Sequence, residues 1–226
     1  MKRLLQTATA LAVGMPMMMG VANAAEGLYG RVEGNYTFRG TLNFSGPAQG
    51  GFNNLLGSGA RETGNEFGGV AAAAGYSWAG GWRAEVELAH VNSKLDPDFE
   101  VSSGEGTANA LMLNGFMDFN TDSLVQPYVG AGIGYGGFEV KASTNNPANP
   151  PNQRADGYEN NLAYQVMAGV GIRASEKMIF NVGYRHFGTD QLNIRFKSVV
   201  PPSAAGYKAE TDFHQDSLTF GVRMHF

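Results

Sequence analysis

The last nine residues, Leu218 to Phe226 (LTFGVRMHF), alternate strictly: Leu218, Phe220, Val222, Met224 and Phe226 share one face, and Thr219, Gly221, Arg223 and His225 the other. Side chains of a strand point to opposite faces with period two, so one face of this segment must meet an oily medium and the other polar groups. A strand buried on both faces would not be built this way. A membrane strand with a polar interior satisfies the pattern, and so does a half-buried strand of a soluble sandwich. The rest of the chain decides between them.

Lys2 and Arg3 precede an uncharged stretch from Leu4 to Val21, and Ala22-Asn23-Ala24 supplies small residues at the spacing of a signal-peptidase site. Residues 1–24 are therefore expected to be an export signal cleaved after Ala24, with residues 25–226 forming one domain. Gln6, Gly14 and Pro16 interrupt the apolar run, which argues against a membrane anchor. Loss of Lys2 and Arg3 would take the formal charge from -4 to -6, so no basic excess points to nucleic acid. With no cysteine, an exported chain has neither disulfides nor thiolate chemistry, and its stability must come from extensive backbone pairing. Its 32 glycines lack the G-X-Y period of collagen, and no later apolar run is long enough for a membrane helix.

Period two recurs in eight segments of about ten residues, the length a tilted strand needs to cross a bilayer. In the first, Leu28, Val32, Tyr36 and Phe38 oppose Tyr29, Arg31, Glu33, Asn35 and Thr37. Val70, Ala72, Ala74, Tyr76 and Trp78 form the apolar face of the second. In the third, Trp82, Ala84, Val86 and Leu88 oppose Arg83, Glu85 and Glu87, and in the fourth Leu111, Leu113, Met117 and Phe119 oppose Met112, Asn114, Phe116 and Asp118. The fifth sets Val129, Ala131, Ile133 and Tyr135 against Tyr128 and three glycines. The sixth runs Leu162 to Arg173, with Gln165, Met167 and Arg173 on its polar face, and the seventh sets Met178, Phe180, Val182 and Tyr184 against Asn181, Gly183 and Arg185.

The connections alternate in length. Short turns (79–81, 120–123 and 174–177) are expected between strands two and three, four and five, and six and seven, with long polar loops at 40–65, 92–106, 141–159 and 187–216. Short periplasmic turns and long external loops are the pattern of outer-membrane barrels. Aromatic residues at strand ends (Phe38, Tyr76, Trp78, Trp82, Phe119, Tyr135, Tyr184 and Phe226) would form the two interface girdles. The fold expected is an all-β, eight-stranded antiparallel transmembrane barrel.

PYVGAGIGYG at 127–136, GYSWAGGWRAEVEL at 75–88, NVGYRHFGT at 181–189 and the terminal aromatic residue resemble the outer-membrane β-barrel domain of opacity-type surface proteins and porin-like surface antigens of Gram-negative bacteria. The resemblance covers the mature chain and implies an outer-membrane location. The loops of such proteins diverge freely and carry adhesion or immune evasion, which implies a structural and surface-interaction role. No peptidoglycan-binding domain of the outer-membrane protein A type is expected after strand eight. The strand ending Leu218, Phe220, Val222, Met224 and Phe226 also resembles the signal that the barrel-assembly machinery reads. Partners implied are outer-membrane lipid, lipopolysaccharide, that machinery and a host or surface partner reached through the loops, with the barrel itself a monomer.

An eight-stranded barrel has an interior that side chains can fill, or that can hold one small ligand. The inward set includes Arg31, Arg83, Arg173, Arg185 and Arg223 with Glu33, Glu85, Glu87 and Asp118. Opposite charges there can satisfy one another, and inward glycines of strands five and six leave room for the arginines. A salt-bridged plug is expected; the alternative is a narrow channel for small hydrophobic or ionic solutes. Glu85 and Glu87 have acid–base spacing, which barrel packing also produces. No nucleophile motif, phosphate loop or metal-ligand cluster appears, so no catalytic residue, metal or cofactor is expected. The remote enzymatic alternative is a lipid A-modifying barrel acting through His186, but the serine such a site needs two residues later is Gly188 and Thr189 faces the other way. Leu192, Ile194 and Phe196 keep period two, and Lys208, Glu210, Asp212 and Asp216 share the outward parity of the last strand, so strands seven and eight are expected to run past the lipid in a protruding hairpin.

Overall fold

The computed structural model describes residues 26–45, 59–63, 66–95, 103–143, 154–190, 192–196 and 207–226. These form ten strand segments: β1 (Gly27–Ser45), β2 (Gly59–Thr63), β3 (Glu66–Ser77), β4 (Trp82–Leu95), β5 (Ser103–Asp118), β6 (Val125–Ser143), β7 (Arg154–Arg173), β8 (Met178–Thr189), β9 (Leu192–Phe196) and β10 (Tyr207–His225). Neighbours in the sheet pair antiparallel in sequence order, and β1 pairs with β10 from Tyr29↔His225 to Ser45↔Glu210, which closes the sheet. β2 continues the stave of β3 along β1, and β9 continues that of β8 along β10. Ten segments thus make eight staves, and the fold is an all-β, eight-stranded antiparallel barrel. Closure leaves no sheet edge facing lipid, which a spanning sheet requires because hydrocarbon offers no hydrogen bonds.

The alternation read from the sequence holds around the barrel. Leu28, Val32, Leu113, Ile133 and Leu162 are 59–70% exposed, whereas Tyr29, Arg31, Glu85, Glu87, Asn114, Gln165 and Arg185 are buried. Large apolar residues outside and charges inside invert the arrangement of a soluble protein and select the barrel over the sandwich. Outward aromatic residues gather at two levels, with Tyr76, Trp78, Trp82 and Phe119 at the turn end and Tyr36, Phe38, Tyr135, Tyr164 and Tyr184 toward the other.

The turn end is built as expected. Trp78 N donates to Trp82 O (2.9 Å) across Gly80 and Gly81, whose φ of 82° and 86° suit glycine. Asn120 (φ 54°) takes the same region in the second turn, and the Ser175 hydroxyl accepts from Met178 N (3.1 Å) in the third.

The other end departs from expectation. The described parts of 40–65, 92–106 and 141–159 are strand where loop was expected, with β1 running to Ser45, β4 to Leu95 and β6 to Ser143, whereas in 187–216 β9 and the start of β10 pair as the hairpin that was expected. β1, β6, β7 and β10 are 19–20 residues long, roughly twice what crosses a bilayer, so the sheet continues beyond the lipid on that side. Polar composition misled here because a strand with water on its outer face needs no apolar alternation. The tips 46–58, 96–102, 144–153 and 197–206, including the turns expected at 145–153 and 201–206, lie outside the described residues.

Two bulges adjust the register. In β1 the pairing with β10 shifts between Thr37 and Arg39, so Phe38 and Arg39 both face outward and Arg39 comes opposite Asp216. In β3 it shifts at Gly68, and the following Gly69 (φ 151°) lies so close to β4 that a Cβ would sit 2.1 Å from the His90 carbonyl oxygen.

Candidate functional site

The lumen concentrates the charged residues that period two assigned to the inner face. Arg83 forks onto Asp118, with Nε and Nη2 donating to its two oxygens at 2.8 Å each, and Arg223 Nη1 donates to the same carboxylate at 2.8 Å. One level toward the outer end, Arg31 donates to Glu33 (2.6 Å), Glu85 and Glu87, and Arg185 to Glu33 (2.6 Å) and Glu87 (3.1 Å). Asn114 Nδ2 donates to Glu85 (3.0 Å) and Glu87 (3.3 Å), and Gln165 Nε2 to Glu87 (3.1 Å) and Asn114 Oδ1 (2.7 Å). Tyr29 joins the two levels: its hydroxyl donates to Glu85 (2.9 Å) and accepts from Arg83 (3.2 Å). Four arginines and four carboxylates take part, so their formal charges cancel. Buried ions of this kind persist only when paired and hydrogen-bonded, and each carboxylate here has at least two donors.

Arg173 is the exception among the nine residues expected in this network. It lies at the turn end, half-buried, and donates to the Thr121 carbonyl oxygen, tying β7 to the neighbouring turn beside Gln126. It sits at the end of β7, below the carboxylates, and among the described residues it pairs with none of them.

The inward glycines serve a different purpose from the one expected. The atoms nearest to a Cβ at Gly130 belong to the Phe116 ring (2.3 Å), at Gly132 to Asn114, at Gly134 to Leu111 and Met112, and at Gly169 and Gly183 they include the Tyr128 hydroxyl. Glycine opens the wall to aromatic and amide side chains of neighbouring strands, and the arginines then lie on those rings. Arg83 Cζ sits 4.3 Å from the Phe116 ring centre, a cation–π distance. The space left among Arg31, Glu33, Arg83, Phe116 and Tyr128 is about 10 Å³, the volume of roughly one water.

Above the charges lies an inward apolar layer that the sequence reading missed. Phe187 packs against Phe138 (ring centres 6.4 Å) and Phe213 (6.2 Å), with Val91, Ala108 and Ala163 also buried inward. Extending the inward parity of Arg185 by two residues and that of Ser217 by four reaches Phe187 and Phe213, so the signal was present in the stretch 187–216.

On the outer wall, Leu218, Phe220 and Met224 face lipid, with Val222 and Phe226 partly covered, and Phe226 N donates to Leu28 O (3.0 Å) across the closing seam. Toward the outer end, His186 Nδ1 lies 2.7 Å from Asp216 Oδ1, and the Tyr184 hydroxyl donates to the same oxygen (2.6 Å). Asp216 is thus outward as expected, but part-buried and partnered. His186 stacks on His214 (5.8 Å, 19°) beside Tyr164. This is half of an acid–His–nucleophile arrangement. The nucleophile's place is filled, because a Cβ at Gly188 would sit 2.6 Å from the Tyr164 ring, and Thr189 is buried inward with its hydroxyl accepting from Phe213 N.

A family model described as the outer membrane protein beta-barrel domain matches residues 7–226. The chain belongs to this family. Its place is accordingly the outer membrane, with the short turns on the periplasmic side. The outer membrane protein PagN of Salmonella typhimurium (strain LT2) is 20% identical over 115 residues, 51% of this chain and 48% of its own length, so the chain spans about half of that relative. Among solved structures, the outer membrane protein AlkL in lipid bilayers aligns with TM-score 0.54 at 13% identity, over 94% of this chain and 95% of that one. OprG of Pseudomonas aeruginosa aligns with TM-score 0.51 at 16% identity, over 88% and 97%. At these identities the likeness is one of fold.

Proposed function

We propose that this barrel is a structural and surface-interaction protein of the outer membrane, of adhesin or antigen type, that neither conducts solutes nor catalyses a reaction. The observation that carries the reading is the filled lumen: a charge-balanced network whose gap beside Arg31, Arg83 and Phe116 is about 10 Å³, beneath a layer of three phenylalanines. With the lumen filled at the level of the charges, specific contacts belong to the strand extensions and loops outside the lipid. In this reading residues 1–24 are removed on export, the terminal strand is read by the barrel-assembly machinery, and the monomer meets lipopolysaccharide and a host or surface partner at its outer end.

A liposome-swelling assay with small ionic and neutral solutes tests the closed lumen. Vesicles carrying the refolded barrel should swell no faster than empty ones. Swelling that scales with protein content would replace this reading with a narrow conduit.

A further inference from the structure

The outer wall carries a groove that the lumen does not explain. The ladder between β7 and β8 ends at Ala163↔Thr189, and β10 changes partner from β8 to β9 between His214↔Gly188 and Thr211↔Leu192. Where the staves change over, a cavity of about 510 Å³ opens, lined by Ile133, Leu162, Tyr164, Asp190, Asp212 and His214 among others. Its size is that of a small-molecule site.

The lining has two chemistries. Ile133 and Leu162 are 70% and 61% exposed on the lipid-facing wall, beside the outer aromatic girdle. Tyr164, which pairs with Ile133 across the β6–β7 ladder, continues this wall, and the facing side carries the Asp212 carboxylate and the His214 ring, whose centre is 6.5 Å from that of Tyr164. His214 in turn stacks on His186, which is engaged with Asp216 outside the groove. An apolar wall at lipid level that ends in an aromatic ring and faces a carboxylate fits a molecule with a hydrocarbon tail and a cationic head. Carboxylates attract an ammonium and repel phosphate or sulfate, and a ring face adds cation–π attraction.

We propose that this groove binds single-chain amphiphiles bearing an ammonium head, with the tail along Ile133 and Leu162 and the head between Asp212 and the Tyr164 ring. Its ligand is either a resident amine-bearing lipid or an amphiphile arriving from outside, and the head chemistry is common to both.

The test uses the full mature chain refolded in neutral maltoside micelles, with dodecyltrimethylammonium as probe and dodecyl sulfate as its anionic counterpart, and counts retained adducts by native mass spectrometry. The parent should retain one dodecyltrimethylammonium and no sulfate. Asp212→Asn should lower retention about fivefold, the size of one partly exposed ion pair or cation–π contact, and Tyr164→Leu by a similar factor. Asp212→Glu should keep it, and Glu139→Gln, an exposed acid elsewhere, should leave it unchanged; heat-modifiable migration checks that each variant is folded. Barrels taken directly from membranes with an amine lipid attached would assign the site to a resident lipid, and bare barrels that take up the probe to an arriving one. Equal retention of the sulfate, undiminished retention by folded Asp212→Asn, or a Glu139→Gln loss as large as that of Asp212→Asn would overturn the proposal.

Discussion

Replacing Glu87 by alanine tests the lumen network at its most connected point. Glu87 is fully buried and receives Arg31, Arg185, Asn114 and Gln165. Its removal leaves four arginines facing three carboxylates, and among the described residues Arg185 keeps only Glu33 as an acidic partner. Breaking a buried pair from one side costs about 3–5 kcal/mol, because the remaining charge stays desolvated. Some of this is recovered by the network, since Arg31 retains Glu33 and Glu85, so a loss on the order of 3 kcal/mol is expected. Urea unfolding in lipid vesicles, followed by the gel shift between folded and unfolded barrel, measures it. Adding Arg185→Ala should restore part of the loss by rebalancing charge, whereas Glu139→Ala, in an exposed pair with Lys141, should change little. A Glu87→Ala barrel as stable as the parent would mean that the side chain is solvated, and the pairing argument would fail.

Three further outcomes follow from the same packing. Gly130→Val places a side chain where the Phe116 ring lies 2.3 Å away, and should cost about 2 kcal/mol in the same unfolding assay; parent-like stability would refute the glycine argument. Phe187→Ala removes the centre of the outer apolar layer and should cost about 3 kcal/mol while solute flux stays at background, because the charged network below still fills the lumen. Deleting Phe226 should reduce the amount of heat-modifiable barrel in isolated outer membranes; normal levels would remove the assembly role assigned to the terminal strand.

Much of the fold was legible because facing follows from period two alone. Arg83, Glu85 and Glu87 could be assigned to the lumen without any knowledge of their neighbours. Partnership could not, since it depends on which strands adjoin and in what register. Arg31 reaches Glu85 from two strands away, and Arg223 meets Asp118 across 105 positions of sequence. Tyr29 gave no sign that it would bridge the two levels. The bulge at Phe38, which turns Arg39 outward to face Asp216, breaks the very rule that made the rest readable. The extensions of β1, β4, β6 and β7 were hidden for a related reason, since outside the lipid the outer face is polar and they read as loop, whereas the hairpin of β9 and the start of β10 was legible from the period-two run of Leu192, Ile194 and Phe196 and from the parity shared by 208–216.

The central claim is that the lumen is filled. Planar-bilayer recording from the purified, refolded parent barrel tests it most directly, across the voltage range in which the bilayer itself is stable. No reproducible unitary steps are expected above the bare-bilayer background. Steady single-channel steps of one conductance, recurring from preparation to preparation, would contradict it.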